Sequence, residues 1–247
     1  MRVFKADLHL HSVLSPCGSL EMSPGTIVSR AKEVGLDIIA VTDHNTTLHC
    51  QLTKALAEEV GIAVFLGAEV TTKEEVHCLT FFPTFDSLSQ FQSILEKHYP
   101  VGVVNDPAIF GFQVVVDRDE NILQEIEAPL ISSLTMNINE LEKVVHELGG
   151  LFIPAHINKT KYSVISQLGF LPPDLAVDGL EISRHTTKAN FLNKNAYLKK
   201  YTFIQNSDAH LTEGVGEVYT SLQMETPTFD EFSLALRGEG GRQVLLD

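Results

Sequence analysis

Asp7-Leu8-His9-Leu10-His11-Ser12 follows a short apolar run near the start of the chain, and its two histidines stand one residue apart. Side chains at i and i+2 of a strand leave the same face, so both imidazoles can close on one ion. Similar donors sit where later apolar runs end: Thr42-Asp43-His44-Asn45, Gly67-Ala68-Glu69, Val76-His77, Pro154-Ala155-His156 and Ser207-Asp208-Ala209-His210. Donors at nearly every strand end have a common use only if those ends converge. An open doubly wound sheet collects its site at a switch point between a few strands. A closed or nearly closed barrel brings the C-terminal strand ends to one mouth, and that α/β architecture is expected here.

The remaining patterning agrees. Strands are expected over residues 3–9, 37–42, 63–70, 77–82, 151–156, 179–183 and 202–207, about seven in all. Several are nearly continuous in apolar character, as strands covered on both faces should be. Ser23-Pro24 reads as an N-cap followed by Pro at the first helical position, opening a helix that stops at Gly35. Asn137 and Glu140 have the spacing of a capping box, and Leu141, Val144, Val145 and Leu148 form one apolar stripe before Gly149. Weaker helical patterns cover 46–60, 87–97, 190–199 and 229–237. Strand–helix alternation implies a parallel sheet with right-handed crossovers. Residues 99–135 are the least regular, and Asp117-Arg118-Asp119-Glu120-Asn121 within them reads as the turn of a hairpin or a lid. No repeat or linker divides the sequence, so one barrel domain is expected over residues 1–247.

With 44% apolar and 20% charged residues, the chain has material for a large core and no disordered signature. Cys17, Cys50 and Cys78 are odd in number and scattered, which suggests free thiols in a reducing compartment. There is no leader pattern at the start and no run near the ~18 apolar residues of a membrane span. A cytoplasmic protein with no membrane partner is expected. The net charge of −14 argues against affinity for long nucleic acid, which relies on Lys and Arg, but it admits a small anionic substrate.

A mixture of imidazole and carboxylate suits Zn²⁺, Mn²⁺ or Fe²⁺ better than an all-oxygen Mg²⁺ or Ca²⁺ site. There are too many donors for a single tetrahedral ion, so two or three divalent ions are expected, with a carboxylate such as Glu69 bridging two. Outside the strand-end set, His98 and His146 read as ordinary helix residues and His49 as part of a helix start.

In order and spacing, the segments from Asp7 to His210 resemble the polymerase and histidinol phosphatase (PHP) family. The resemblance implies a distorted (β/α)7 TIM-like barrel whose trinuclear metal site, at the C-terminal strand ends, hydrolyses phosphoesters. It implies one ion on His9, His11, Glu69 and Asp208, and a second on Glu69, His77 and His156. A third would take His44 and His210, with one more ligand from the loop after His11. Family members usually offer His or Asp there, whereas this chain offers Ser15-Pro16-Cys17-Gly18, so Cys17 is the natural occupant. Asp43 is expected to orient a ligand rather than bind an ion.

The expected reaction is hydrolysis of a small phosphate monoester, nucleotide-like or histidinol-phosphate-like, by a metal-activated hydroxide. Glu69, Asp208 and His210 are the expected catalytic residues. Lys159, Arg184 and His185 are expected to hold phosphate oxygens, Arg184 through its bidentate fork. Phe112, Tyr162 and Phe170, in the mouth loops, are candidates to stack on a base and equally ordinary packing residues. Three alternatives stand beside this reading. One is a phosphodiesterase or exonuclease activity of the same family. Another is a non-catalytic regulatory metal module, which would have lost ligands that this chain keeps. The third is an amidohydrolase-type barrel, against which the strand-end Glu69 and the Asp208-Ala209-His210 pattern argue.

Overall fold

The computed structural model describes residues 1–246. β1 (Arg2–Leu10) carries His9, with His11 just past its end, and the chain continues through α1 (Pro24–Glu33), β2 (Ile38–Val41), α2 (Cys50–Glu59), β3 (Ala63–Val64), β4 (Leu66–Thr71) and β5 (His77–Phe82). Next come α3 (Phe85–Lys97), α4 (Pro107–Phe110), β6 (Val114–Val116), β7 (Ile122–Glu125), α5 (Ile138–Glu147), β8 (Leu151–Pro154), α6 (Val164–Leu168) and β9 (Leu180–Ile182). The remainder adds α7 (Lys188–Lys194), β10 (Phe203–Gln205), β11 (Thr220–Met224), α8 (Phe229–Arg237) and β12 (Gln243–Leu245).

Helix starts follow local chemistry. The Ser23 hydroxyl accepts from Thr26 N at 3.0 Å, with Pro24 behind it at the first helical position. Asn137 and Glu140 exchange bonds of 2.8 and 2.9 Å, closing the box that opens α5. Each such cap contributes about 1 kcal/mol. α5 then buries Leu141 and Val145 against the core.

The result is a mixed α/β fold whose strands pair in four sheets, ordered β12-β11-β1-β2-β3, β4-β5-β8, β9-β10 and β6-β7. It departs from the expected parallel arrangement. β5 is antiparallel to both β4 and β8, because the turn from Thr71 to His77 is too short for a crossover, which needs a dozen residues or more. This reversal puts His77 at the beginning of its strand, opposite Thr71. β11 pairs antiparallel with β1, and β12 with β11; neither strand is among the seven expected. No continuous ladder closes the seven expected strands into a ring among the described residues. A few backbone bonds cross the gaps between sheets instead, among them Asn45 N to Glu69 O at 2.8 Å, Ile157 N to Glu181 O at 2.8 Å, and His11 N to Ala209 O at 3.0 Å.

One apolar cluster takes Phe4, Ala6 and Leu8 from β1, Leu79 and Phe81 from β5, Ile153 from β8 and Ile204 from β10, with Phe232 of α8 packed among them. A second lies between strands and surrounding helices. β4 and β5 approach so closely at Gly67 that a Cβ there would stand 2.2 Å from the Thr80 carbonyl oxygen. In the irregular stretch, β6 and β7 form the expected hairpin. Gly111, at φ 95°, brings this arm against the loop that carries Cys17: a Cβ on it would meet Pro16 O at 2.3 Å. No helix of the described residues is long and apolar enough to cross a membrane.

His146 ties α5 to the core. Its ring reaches Glu142 and, at 2.9 Å, Asp178, whose carboxylate also accepts from Phe152 N at 2.7 Å. The hydrogen bond to Asp178 raises the His146 imidazole above its usual 6.5. A raised value stabilises the fold fully below pH 6.5, and the effect fades as pH rises through that raised value. His146→Ala should therefore lower the melting temperature most at acidic pH, with the gap to wild type shrinking on the alkaline side; thermal denaturation across pH measures this.

Candidate metal centre

His9 and His11 leave β1 fully buried, with ring centroids 5.1 Å apart. His156 and Asp208, just past β8 and β10, have φ of 30° and 53°. Non-glycine residues held in the left-handed region cost roughly 1–3 kcal/mol each and concentrate at functional sites. Of the six non-glycine residues with positive φ among the described residues, these two are candidate ligands.

The rings gather round one carboxylate. His77 Nδ1 and His156 Nε2 each lie 3.0 Å from Glu69 Oε1, and His9 Nε2 lies 3.2 Å from it. His44 Nδ1 is 3.1 Å and His11 Nε2 3.4 Å from Glu69 Oε2. Asp208 Oδ1 stands 3.6 Å from His9 Nε2 and 3.4 Å from His11 Nε2. Of these, His77 Nδ1 and His156 Nε2 hydrogen-bond to Glu69 Oε1, whereas His9 Nε2, His11 Nε2 and His44 Nδ1 are buried beside the carboxylates without a hydrogen-bond partner. Leaving such atoms unpaired costs about 1–3 kcal/mol apiece. Three imidazole nitrogens that face carboxylate oxygens without bonding them fit shared cations. Three sets of ligand atoms lie mutually within 4.8 Å: His9, His11 and Asp208; His44, Glu69 and His77; and His11, Cys17, His44 and His210. They differ from the expected partition: Glu69 is absent from the set with His9, His44 stands where His156 was expected beside Glu69 and His77, and His11 joins the Cys17 set.

Burial opposes charge throughout, yet the carboxylates stay ionised. Burial would raise Glu69, but His77, His9 and His44 outweigh it and hold it well below the usual range. Asp208 is likewise held far down, burial being overcome by His9 and His11. His9 is lifted well above its ordinary value because Glu181, Glu69 and Asp208 overcome burial. His44 falls well below it through burial. Burial, then the charge of His11, brings His210 down to about 4. Cys17 stays open to solvent, yet the protein around its sulfur, then Glu69 and Asp43, push the thiol up to about 12. Its place beside His44 and His210 suits a ligand better than a free thiolate nucleophile.

Behind the donors stands a buried support that sequence reasoning missed. Glu181, at 1% exposure, has both oxygens 3.1 Å from His9 Nδ1. It also accepts from His156 N and from Asn206 Nδ2, each at 2.9 Å. It fixes the His9 ring so that Nε2 faces the centre. The only sequence signal was an acidic residue inside an otherwise apolar strand, Leu180-Glu181-Ile182. Asp7 accepts from Ser207 N and Gly216 N, and burial pushes its carboxyl up to about 6 against those bonds. Asp43 orients rather than points at the centre: it accepts from Ser12 N at 2.7 Å and from the Ser15 hydroxyl at 2.6 Å, and that hydroxyl lies 3.2 Å from His11 Nδ1. His49 is a buried bridge between the Ser12 hydroxyl and Val116 N.

A cavity of about 490 Å³ opens over the centre, lined in part by Cys17, Lys159, Lys161, Tyr162 and His185. Lys159 pairs with Asp208. Arg184 lies outside this cavity, in an adjoining one of about 200 Å³, and its guanidinium is held by Glu217 at 2.6 Å. Tyr162 stacks on His77, centroids 4.8 Å apart. Phe112 and Phe170 are half exposed and absent from the lining.

A family model described as PHP domain matches residues 7–163, and one described as PHP-associated matches 193–239. Candidate ligands Asp208 and His210 lie in the second match. Along 99% of its length the chain is 26% identical to the uncharacterised protein YqxK of Bacillus subtilis, of which it covers 65%. The fold is shared with the lesion-specific endonuclease EndoQ of Pyrococcus furiosus, at TM-score 0.75 and 23% identity, over 99% of this chain and 58% of that one. It is shared too with an Endonuclease Q complex holding a 27-mer duplex with an abasic lesion at its active site, at TM-score 0.71 and 23% identity, over 98% and 58%. The chain thus spans about three fifths of these relatives.

The duplex complex overturns the expectation of a small phosphorylated substrate and no long nucleic acid. That expectation rested on the net charge of −14. A summed charge does not set the field at one mouth, where Lys159 and Lys161 line the wall and bound cations would reverse the local sign.

Because Glu181 orients His9 without facing the cavity, Glu181→Gln should weaken metal affinity about 10–100-fold while leaving the protein folded. Competition against a chromogenic chelator reads the affinity, and circular dichroism the fold.

Proposed function

The chain belongs to the PHP domain family of metal-dependent phosphoesterases, and from that membership we propose that it is a phosphodiesterase that hydrolyses a nucleic-acid strand at the centre around Glu69. The observation that carries the metal chemistry is the set of buried imidazole nitrogens left unpaired around ionised Glu69. The diester substrate is supported by the fold shared with an endonuclease along nearly the whole chain.

His9, His11, Cys17, His44, Glu69, His77, His156, Asp208 and His210 would hold two or three divalent ions. Bound there, such ions supply Lewis acidity towards phosphoryl oxygens and lower the pKa of water. The protein's own contribution is positioning and charge. Glu69 faces both the His77–His156 side and the His11–His44 side, so it couples the ligand sets. Lys159, paired with Asp208 at the cavity wall, is placed to take a non-bridging phosphate oxygen, and His185 faces the same space. Arg184, held by Glu217 and outside the first cavity, has the weaker claim. Tyr162, resting on His77 and open to solvent, offers a flat surface to a base or sugar beside the scissile bond. A regulatory module without activity is disfavoured by the completeness of the donor set.

The test is hydrolysis of bis(p-nitrophenyl) phosphate and of a fluorescent oligonucleotide by Mn²⁺- or Zn²⁺-loaded protein. Activity should vanish with EDTA and return with metal. Glu69→Gln should lower kcat by about 10²–10³-fold or more, the scale of removing a principal electrostatic group. Lys159→Ala should cost more in kcat/KM than Arg184→Ala. Turnover of p-nitrophenyl phosphate alone, with both diesters untouched, would refute the diester reading.

A further inference from the structure

A second, larger cavity of about 770 Å³ adjoins the first, and the two share the wall Asn158-Lys159-Thr160. Its far side is formed by α7, through Asn190, Asn193 and Lys194, over an apolar floor that includes Ile157 and Phe191. The chain has 32 acidic against 18 basic residues, yet among the described residues none of this lining is acidic. The cavity thus combines neutral amides and hydroxyls with two lysines, in a molecule of net charge −14.

Two parts of the wall differ in commitment. Asn158 is fixed, exchanging bonds of 2.9 and 2.7 Å with Ser183. Asn190, Asn193 and Lys194 are exposed on α7, and among the described residues their side chains make no hydrogen bond or ion pair with the rest of the protein. Amides that can both donate and accept suit the edges of bases and sugars, and an uncommitted ammonium suits a phosphate. The volume lies within the range of pockets that hold a small organic ligand. Any strand whose scissile phosphate lies beside Lys159 must leave the first cavity, and the shared wall leads directly into the second.

We propose that this cavity is a subsite for the nucleotide next to the scissile phosphate, with Lys194 holding its phosphate and Asn190 and Asn193 its polar edges. The proposal rests on the nucleic-acid reading above and adds the path of the strand.

The test uses the full chain, a short fluorescent oligodeoxynucleotide with non-hydrolysable phosphorothioate linkages, and anisotropy across a salt series. Lys194→Glu should weaken binding about tenfold and lower the slope of log Kd against log salt by about one, the signature of a lost phosphate contact. Lys97→Glu, the same charge change at an exposed position on α3, should do neither. Asn190→Ala should weaken binding without changing the slope. With the hydrolysable oligonucleotide, kcat/KM for Lys194→Glu should fall about tenfold more than it does on bis(p-nitrophenyl) phosphate. Wild-type affinity and slope in Lys194→Glu, or an equal loss in Lys97→Glu, would overturn the subsite while the nucleic-acid reading stands. Failure of wild-type protein to bind the oligonucleotide at all would remove both.

Discussion

Glu69 is a carboxylate at 1% exposure that the protein keeps ionised. An isolated buried carboxylate carries a penalty of several kcal/mol, so its surroundings have to supply positive charge or hydrogen-bond donors. Five histidines on four separate stretches of chain converge on it: His9 of β1 with His11 just past its end, His44 after β2, His77 of β5, and His156 after β8. No single element could bring so many imidazoles to one carboxylate. The sheets are arranged so that their ends meet there, and the bonds that join one sheet to the next, from Asn45 to Glu69, from Ile157 to Glu181 and from His11 to Ala209, lie beside the ligands themselves. Where regular pairing stops, the chain is free to turn its side chains inward, and His156 and Asp208 do so from left-handed backbone positions.

A second ring of buried polar groups holds the first. Glu181, Asp43 and Asp7 spend their oxygens on backbone amides, hydroxyls and one imidazole. Each thereby fixes a neighbouring ligand or strand end. The division of labour follows from solvation: carboxylates that face the cavity can be neutralised by cations, whereas those behind must be satisfied by fixed dipoles. Polar networks of this kind are costly when incomplete and rigid when complete, which suits a centre that has to present several ligands at fixed separations.

Electrostatics also separates the molecule from its mouth. The overall charge is strongly negative, but Lys159 and Lys161 line the first cavity together with Glu69 and Asp208, Lys159 paired with Asp208, and the second carries Lys159 and Lys194 with no acidic residue in its lining. A polyanion responds to the field along its path, within about 10 Å at ordinary salt, rather than to the sum over distant surfaces.

The strand-end donors were legible in the sequence because period-two spacing places His9 and His11 on one face whatever the tertiary setting. The caps at Ser23 and Asn137 were legible because a cap is made by residues three apart. So were the candidate ligands, since imidazole, carboxylate and thiol carry their chemistry with them. The sequence did not reveal that β5 runs backwards, because strand direction depends on the partner, nor that β11 and β12 extend the sheet beside β1, because their pairing joins the two ends of the chain. Glu181 looked like one acid among 32 until the fold set it behind His9. The net charge misled about partners for the same reason. The sequence by itself determined which atoms could bind metal and the order in which they occur. Only the tertiary structure decided which of them meet, what stands behind them and where the charge lies, because burial and proximity belong to the folded chain and not to any residue in it.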